Sequence, residues 1–298
     1  MLFIKPLTSR TEAVVFSFNG HNIRLLVQRD DQLHPLISGN KYRKLQAFVR
    51  TDAVGYVSFG GAWSNHLLAV AALARMQGVP SVGYIRGDEL RPFNDYERWL
   101  TQLGMELKHI SRKQYSDKAE LYATTASQHP AFQLIPEGGH PQPNGLAFDH
   151  WVQEIPEQTD HVLLSCGTGA TLLGLAAAMH RAGRKTKLWG ISAINAPKFL
   201  EQLQLEASQL YPHVQVCASL GGQRFGKNTT KELDLAKAFF KQTGIAPDPV
   251  YDSRVLTVLV DCFEKGLFTS TDSILWLHSG GLTGWAGYPS ECQELFGL

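Results

Sequence analysis

Short β-rich runs alternate with amphipathic helical stretches along nearly the whole chain, and that alternation is what parallel βαβ units require. After a hairpin-like opening (VVFSFNGHNIRLLVQRD), candidate strands fall at Tyr56–Gly60, Ser81–Arg86, Glu106–Ile110 and Phe132–Ile135. Helical stretches lie between them, among them Ser64–Met76 (SNHLLAVAALARM), whose apolar residues keep a helical period. The Pro- and Gly-rich PEGGHPQPNG then interrupts the pattern and predicts a crossing between domains. A second alternation follows: HVLLSC, a helix TLLGLAAAMHRAG ending at Gly183, KLWGISA, VQVCASL, a helix around Lys231–Lys241, and ILWLH. The expected fold is α/β, with two open, twisted, mostly parallel sheets and helices on both faces. The expected division is a larger domain of residues 1–46 and 147–298 and a smaller one of 47–146, with ligand sites beyond the carboxyl ends of the strands.

Composition narrows the function. The chain has 298 residues, 44% apolar and 18% charged, with a formal net charge of +1, as in an ordinary globular enzyme. Lys and Arg are scattered, so neither nucleic acid nor an anionic membrane is an expected partner. Cys166, Cys217, Cys262 and Cys292 are widely spaced, which excludes the short ligand spacing of a zinc site and a disulfide framework; reduced, mostly buried thiols are expected. The start, MLFIKPLTSRTEA, lacks an extended apolar h-region, and no run reaches spanning length, so the expected location is the cytoplasm.

Four segments carry candidate chemistry. CGTGAT (Cys166–Thr171) follows a strong apolar strand and opens a helix; its glycines, first-turn N–H groups and Thr hydroxyls suit a phosphate, and equally a plain glycine turn. A dinucleotide fingerprint is incomplete, because Leu172 takes the third glycine place and the next strand ends in Ala193, Ile194 and Asn195 without an acid. GGQRFGKNT (Gly221–Thr229) nearly matches a nucleotide P-loop, but Asn228 stands where the hydroxyl after Lys227 belongs. SGNKYRKLQAFV (Ser38–Val49) places Lys41 at a helix start beside Arg43 and Lys44, a setting that lowers an amine pKa and suits Schiff-base chemistry. A solvated basic helix start satisfies the same residues. SFGGAWSNHLLAVAALA (Ser58–Ala74) brings Ser64, Asn65 and His66 to a strand-to-helix switch, where capping alone needs only one of them.

Taken in this order, the segments resemble the family of 1-aminocyclopropane-1-carboxylate deaminase and D-cysteine desulfhydrase, within the tryptophan-synthase-β-like (fold type II) pyridoxal-phosphate enzymes. SGNKYRKL is similar to that family's GGNKxRKL block, GGAWSNH to GGxQSNH, CGTGAT to its phosphate cup, DPVYDSRV (Asp248–Val255) to its DPVY block and LHSGGLTG (Leu277–Gly284) to its HTGG block. The resemblance implies a site in the cleft between domains, with pyridoxal 5'-phosphate held as a Schiff base on Lys41. Its phosphate would lie against Cys166, Gly167, Thr168, Gly169, Ala170 and Thr171, and Asn65, Asp252 and Ser279 would complete the cofactor contacts. The resemblance further implies that Ser64 and Asn65, with His66 and Tyr251, receive a small amino-acid substrate, and that Lys41, Ser64 and Tyr251 act in catalysis. Lys41 would shuttle a proton, Tyr251 would handle one at Cα, Cβ or the leaving group, and Asp252 would keep the ring nitrogen protonated. The implied reactions are D-cysteine to pyruvate, sulfide and ammonia, or the cyclopropane substrate to 2-oxobutyrate and ammonia, in a homodimer.

The chain departs from the family pattern at Trp63 (glutamine in the family), at Ser279 (threonine) and at Asp252-Ser253-Arg254, where the family carries Glu or Thr followed by Gly-Lys. Structural roles stay open beside the functional ones: Tyr251 as a packed aromatic, Asp252 as a helix cap, His66 and His278 as satisfied core histidines, and Ser279 as a turn residue. Two other functions remain alongside: a pyridoxal-phosphate-binding protein with little catalysis, and a nucleotide-dependent transferase.

Overall fold

A computed structural model describes residues 7–37, 39–87, 92–139, 146–193, 196–218, 227–280, 284–285 and 288. In chain order the strands are β1 (Thr11–Phe18), β2 (His21–Arg29), β3 (Tyr56–Gly61), β4 (Ser81–Arg86), β5 (Met105–Ile110), β6 (Gln133–Ile135), β7 (His161–Cys166), β8 (Lys187–Ser192), β9 (Val214–Cys217) and β10 (Ile274–His278). The helices are α1 (Asn40–Gln46), α2 (Asn65–Gln77), α3 (Asp95–Gln102), α4 (Arg112–Ser116), α5 (Lys118–Gln128), α6 (Leu146–Glu154), α7 (Ala170–Arg181), α8 (Pro197–Leu210), α9 (Thr230–Thr243) and α10 (Asp252–Glu264). Two compact units result, one within residues 34–147 and one from 7–33 and 148–298. The segment 34–46, grouped above with the larger domain, packs within the smaller unit, because α1 lies on α2 and on the turn at Glu137–Gly139.

The larger unit carries a six-stranded sheet in the order β1-β2-β10-β7-β8-β9, parallel except for the β1–β2 hairpin. Asn19 and Gly20 both take positive φ (48° and 81°), the backbone a two-residue hairpin turn needs, and they fix the register Phe18↔His21. Ile23, Leu25 and Val27 of β2 then point into one core, as a period of two dictates. The central β7 and β10 are buried along their whole length, as expected of strands covered on both faces. Residues of α9 and α10 (Leu235, Phe239, Val255, Leu259) form one core with Trp276. Residues of α6, α7 and α8 (Trp151, Leu175, Met179, Leu203) fill the other with Leu275 and Leu277. Fully burying each such side chain contributes about 1.5–3 kcal/mol. Two glycines permit close packing: a Cβ at Gly190 of β8 would come within 2.6 Å of Leu172 of α7, and one at Gly174 of α7 would collide with Phe148 of α6.

The smaller unit carries a wholly parallel sheet in the order β5-β4-β3-β6. Val57, Phe59, Val82 and Tyr84 pack with Tyr115 and Leu121 of α4 and α5, and α2 adjoins β3 and β4. No helix among the described residues is long and apolar enough to cross a membrane, and none of their side chains cluster as a metal site. Cys166, Cys217 and Cys262 are free thiols; burial pushes Cys217 up to about 11 and Cys262 up to about 12, and Cys292 lies outside the described residues.

Candidate active site

In the smaller unit, candidate residues gather at the start of α1 and at the β3–α2 turn. Lys41 is the second residue of α1, after Gly39 at φ 61°, and Ser38 lies outside the described residues. Its half-buried amine donates to Asn40 Oδ1 at 2.9 Å. Burial lowers the amine pKa to about 8, against an opposing hydrogen bond with Lys44. The expected lowering is present, but desolvation causes it, where the sequence suggested a helix start and flanking cations. Lys44, not singled out from the sequence, is itself buried at 2% exposure and lies beside Gly139, where a Cβ would stand 3.4 Å from its own Cβ.

Ser64 caps α2, its Oγ accepting from the Leu67 amide at 3.2 Å, so the bland capping role is real. Gly60 has to be glycine, because a Cβ there would collide with Ser64. Asn65 opens α2, and its Oδ1 accepts from Tyr96 Oη at 2.8 Å, which orients the carboxamide. Trp63 is 48% exposed and packs at 5.3 Å against the same Tyr96 ring. His66 turns inward, with Nε2 2.9 Å from Ser58 Oγ. Ser58 gives its own proton to Ile135 O at 2.8 Å, so the hydrogen between Ser58 and His66 belongs to the histidine. Burial, with the charges of Lys41 and Lys44, holds His66 well below its ordinary range and keeps it neutral.

In the larger unit, β7 delivers Cys166 to a turn, Gly167–Gly169, that opens the twelve-residue α7. Thr168 is exposed, while Cys166, Gly169, Ala170 and Thr171 are buried. First-turn amides of a helix have no intrahelical acceptor, so this turn presents donors to an anion. Gly169 sits at φ 82°, and a Cβ there would lie 2.5 Å from Leu203 Cδ1. Gly169→Ala should therefore destabilise the protein by about 1–3 kcal/mol; an unchanged urea midpoint would contradict this geometry.

Tyr251 stands directly over this turn, since a Cβ at Gly167 would be 3.4 Å from its ring and 3.5 Å from its hydroxyl. Burial and then Asp248 raise the phenol pKa, so it stays protonated. Asp252, the first residue of α10, is fully buried, and its Oδ2 lies 2.9 Å from His278 Nδ1. Just before the helix, Asp248 Oδ1 accepts from the Val250 and Tyr251 amides at 2.8 and 2.6 Å, and its backbone O accepts from the first helical amides, Asp252 and Ser253, at 3.1 and 3.0 Å. Asp252 thus has a partner that neither the sequence nor its spacing indicated. Ser279 is half-buried at the end of β10, with Oγ 3.4 Å from Ser165 Oγ.

The near-miss nucleotide motifs have structural explanations where they are described. Asn228 donates to Pro249 O and to Ser253 Oγ at 2.8 Å, and Thr229 caps α9 in a capping box with Glu232. Leu172 is core. Gly221, Gly226, Ile194 and Asn195 lie outside the described residues.

These features fit pyridoxal phosphate: an amine with a pKa of about 8, a glycine turn on a helix N-terminus with a protonated tyrosine above it, and buried polar side chains around each. Comparison with known proteins agrees. Over 92% of this chain and 76% of its own length, the bifunctional D-cysteine desulfhydrase/1-aminocyclopropane-1-carboxylate deaminase of Arabidopsis thaliana is 26% identical. The D-cysteine desulfhydrase of Serratia proteamaculans is 25% identical over 86% of each chain. A crystal structure of an ACC deaminase homologue superposes with a TM-score of 0.77 at 21% identity, covering 98% of this chain and 95% of that one. A hydrogen sulfide-producing enzyme from Fusobacterium nucleatum shares the fold at a TM-score of 0.66 and 14% identity, over 94% of this chain and 87% of its own. The family described as "Pyridoxal-phosphate dependent enzyme" matches residues 10–280, and to that family this chain belongs.

Proposed function

We propose that this chain deaminates a small amino acid by pyridoxal-phosphate chemistry, with Lys41 as covalent anchor of the cofactor and Cys166–Thr171 as the seat of its phosphate. The observation that carries the reading is the Lys41 amine, held at a pKa of about 8 inside a family match that spans nearly the whole chain. When bound, the cofactor supplies an electron sink for the bonds at the substrate α-carbon. With D-cysteine, Lys41, its pKa near neutrality, would take the proton at that carbon; the cyclopropane compound carries no hydrogen there, and Lys41 would instead take a proton from a ring methylene and deliver it to the carbon freed as the ring opens. Asn65, oriented by Tyr96, and Ser64 hold the substrate carboxylate, while Tyr251 keeps its proton for the leaving group.

Two net reactions suit these residues: D-cysteine plus water giving pyruvate, sulfide and ammonia, or 1-aminocyclopropane-1-carboxylate plus water giving 2-oxobutyrate and ammonia. The Arabidopsis relative is named for both activities, which supports placing both substrates in the test. A keto-acid assay of the purified, cofactor-loaded protein over D- and L-amino acids and the cyclopropane compound decides. Turnover of one of the two named substrates is the expected result, and no keto acid from any amine would instead favour a cofactor-binding protein without catalysis.

A further inference from the structure

Six residues, Ala246 to Tyr251, connect the core to the start of α10, and six of the ten polar backbone groups in this turn are held by side chains. His278 Nε2 donates to Ala246 O at 2.9 Å, and Trp285 Nε1 donates to Pro247 O at 2.9 Å. Asp252 Oδ2 accepts from the Asp248 amide at 3.2 Å, and Asp248 Oδ1 accepts from the amides of Val250 and Tyr251. Pro249 O receives hydrogen bonds from Asn228 and Ser253. A turn clamped at so many points has little freedom to displace the residue that ends it, and that residue is Tyr251.

His278 joins the clamps. Both of its ring nitrogens face acceptors, Ala246 O on one side and the Asp252 carboxylate on the other, so both carry hydrogen and the ring is an imidazolium. The Gly280 amide donates toward the same Nδ1 at 3.3 Å, a longer contact than the 2.9 Å to Asp252 Oδ2 and one that opposes a hydrogen on that nitrogen. Trp276 stacks on the ring at 4.8 Å and 7°, fixing its plane. Asp31 Oδ2 lies 4.0 Å from Nε2 and is paired at 2.7 Å with Arg29, whose guanidinium also holds Glu12 at 2.8 Å. Burial, and then the neighbouring Asp252, push the Asp248 carboxyl well above its ordinary range. Asp252 is sealed from solvent; its Oδ2 is shared between His278 and the Asp248 amide, while its buried Oδ1 has no hydrogen-bond partner among the described residues.

We infer that His278 and Asp252 are positioning residues for Tyr251, acting through the 246–251 turn. The inference rests on the reading of Tyr251 as a residue of the reacting site, so the test includes Tyr251→Phe alone. In the cofactor-loaded enzyme, Tyr251→Phe should lower kcat by about 10²–10⁴-fold. His278→Gln and Asp252→Asn should lower kcat by about 10–100-fold, the cost of an ångström-scale misplacement, with KM changed by less than about threefold. The visible absorbance of the bound cofactor should be unmoved in His278→Gln. Combined with Tyr251→Phe, neither should lower kcat further, because the residue they position is already disabled. Trp285→Phe, which removes a different clamp of the same turn and keeps an aromatic ring in the core, should repeat the signature with a smaller loss; it also serves if the two charge-removing variants do not fold.

A shifted absorbance band in His278→Gln would show that the cofactor's surroundings had changed along with the turn and would overturn the inference. Losses that multiply in the double variants would overturn it too. Full activity in Tyr251→Phe would remove the reading of Tyr251 and the inference with it, whereas a disabled Tyr251→Phe beside fully active His278→Gln and Trp285→Phe would leave that reading standing and refute the positioning role alone.

Discussion

Lys41→Ala should leave a folded protein that binds pyridoxal phosphate weakly, forms no covalent link to it and has no measurable keto-acid production. The lost amine is half-buried, bonded to Asn40 and brought by burial to a pKa of about 8, so it combines nucleophilicity with proton transfer near neutral pH. Loss of one positioned proton-transfer group alone costs about 10²–10⁴-fold, and here the anchor of the cofactor goes with it. Stability should rise slightly on substitution, because a lowered amine pKa marks a cation that folding disfavours: that cost is present below pH 8 and vanishes as pH rises through the unfolded value. A Lys41→Ala protein that keeps the bound cofactor's colour and its turnover would show that another amine does the work.

The second large effect concerns folding. His278→Gln should lose about 3–5 kcal/mol near neutral pH, because it breaks a fully buried pair and leaves the Asp252 carboxyl without its partner. The pH dependence has a definite sign. Burial alone would lower the His278 pKa, but Asp252 and Asp31 outweigh it and raise the group to about 9. A raised folded-state value means that the stabilisation is fully present below the unfolded value of 6.5 and is lost as pH rises through about 9. The pH-dependent part amounts to about 3 kcal/mol. Lys41 moves stability in the opposite direction over the upper part of this window, so the wild-type curve alone would mislead; Lys41 is common to both proteins and cancels in their difference. Urea unfolding of wild type and His278→Gln from about pH 6 to about pH 10 should show the gap between them narrowing on the alkaline side. A constant gap would mean that the ring is neutral and the pair is an ordinary hydrogen bond.

Local signals made much of the fold legible. Asn19-Gly20 could hardly be anything but a hairpin turn, and HVLLSC, KLWGIS and ILWLH stand as buried strands at the residues expected of them. The turn after β7, the cap at Ser64 and the half-buried Lys41 were likewise marked by short motifs. What escaped notice depended on long-range packing. Nothing local says that residues 34–46 belong with the smaller unit, because their partners are α2 and the turn at Glu137–Gly139. The Asp252–His278 pair joins the first residue of a helix to the last residue of a strand, and no spacing rule links them. The origin of the Lys41 pKa escaped for the same reason, since burial is a property of the folded surroundings and the flanking cations were only the visible part.

The most direct test of the central claim is borohydride reduction of the cofactor-loaded protein, followed by proteolysis and mass spectrometry. The account predicts the phosphopyridoxyl mass on the peptide that contains Lys41, and on that residue within it. Label on Lys44 or on any other lysine, or no label on a protein that is coloured and active, would contradict it.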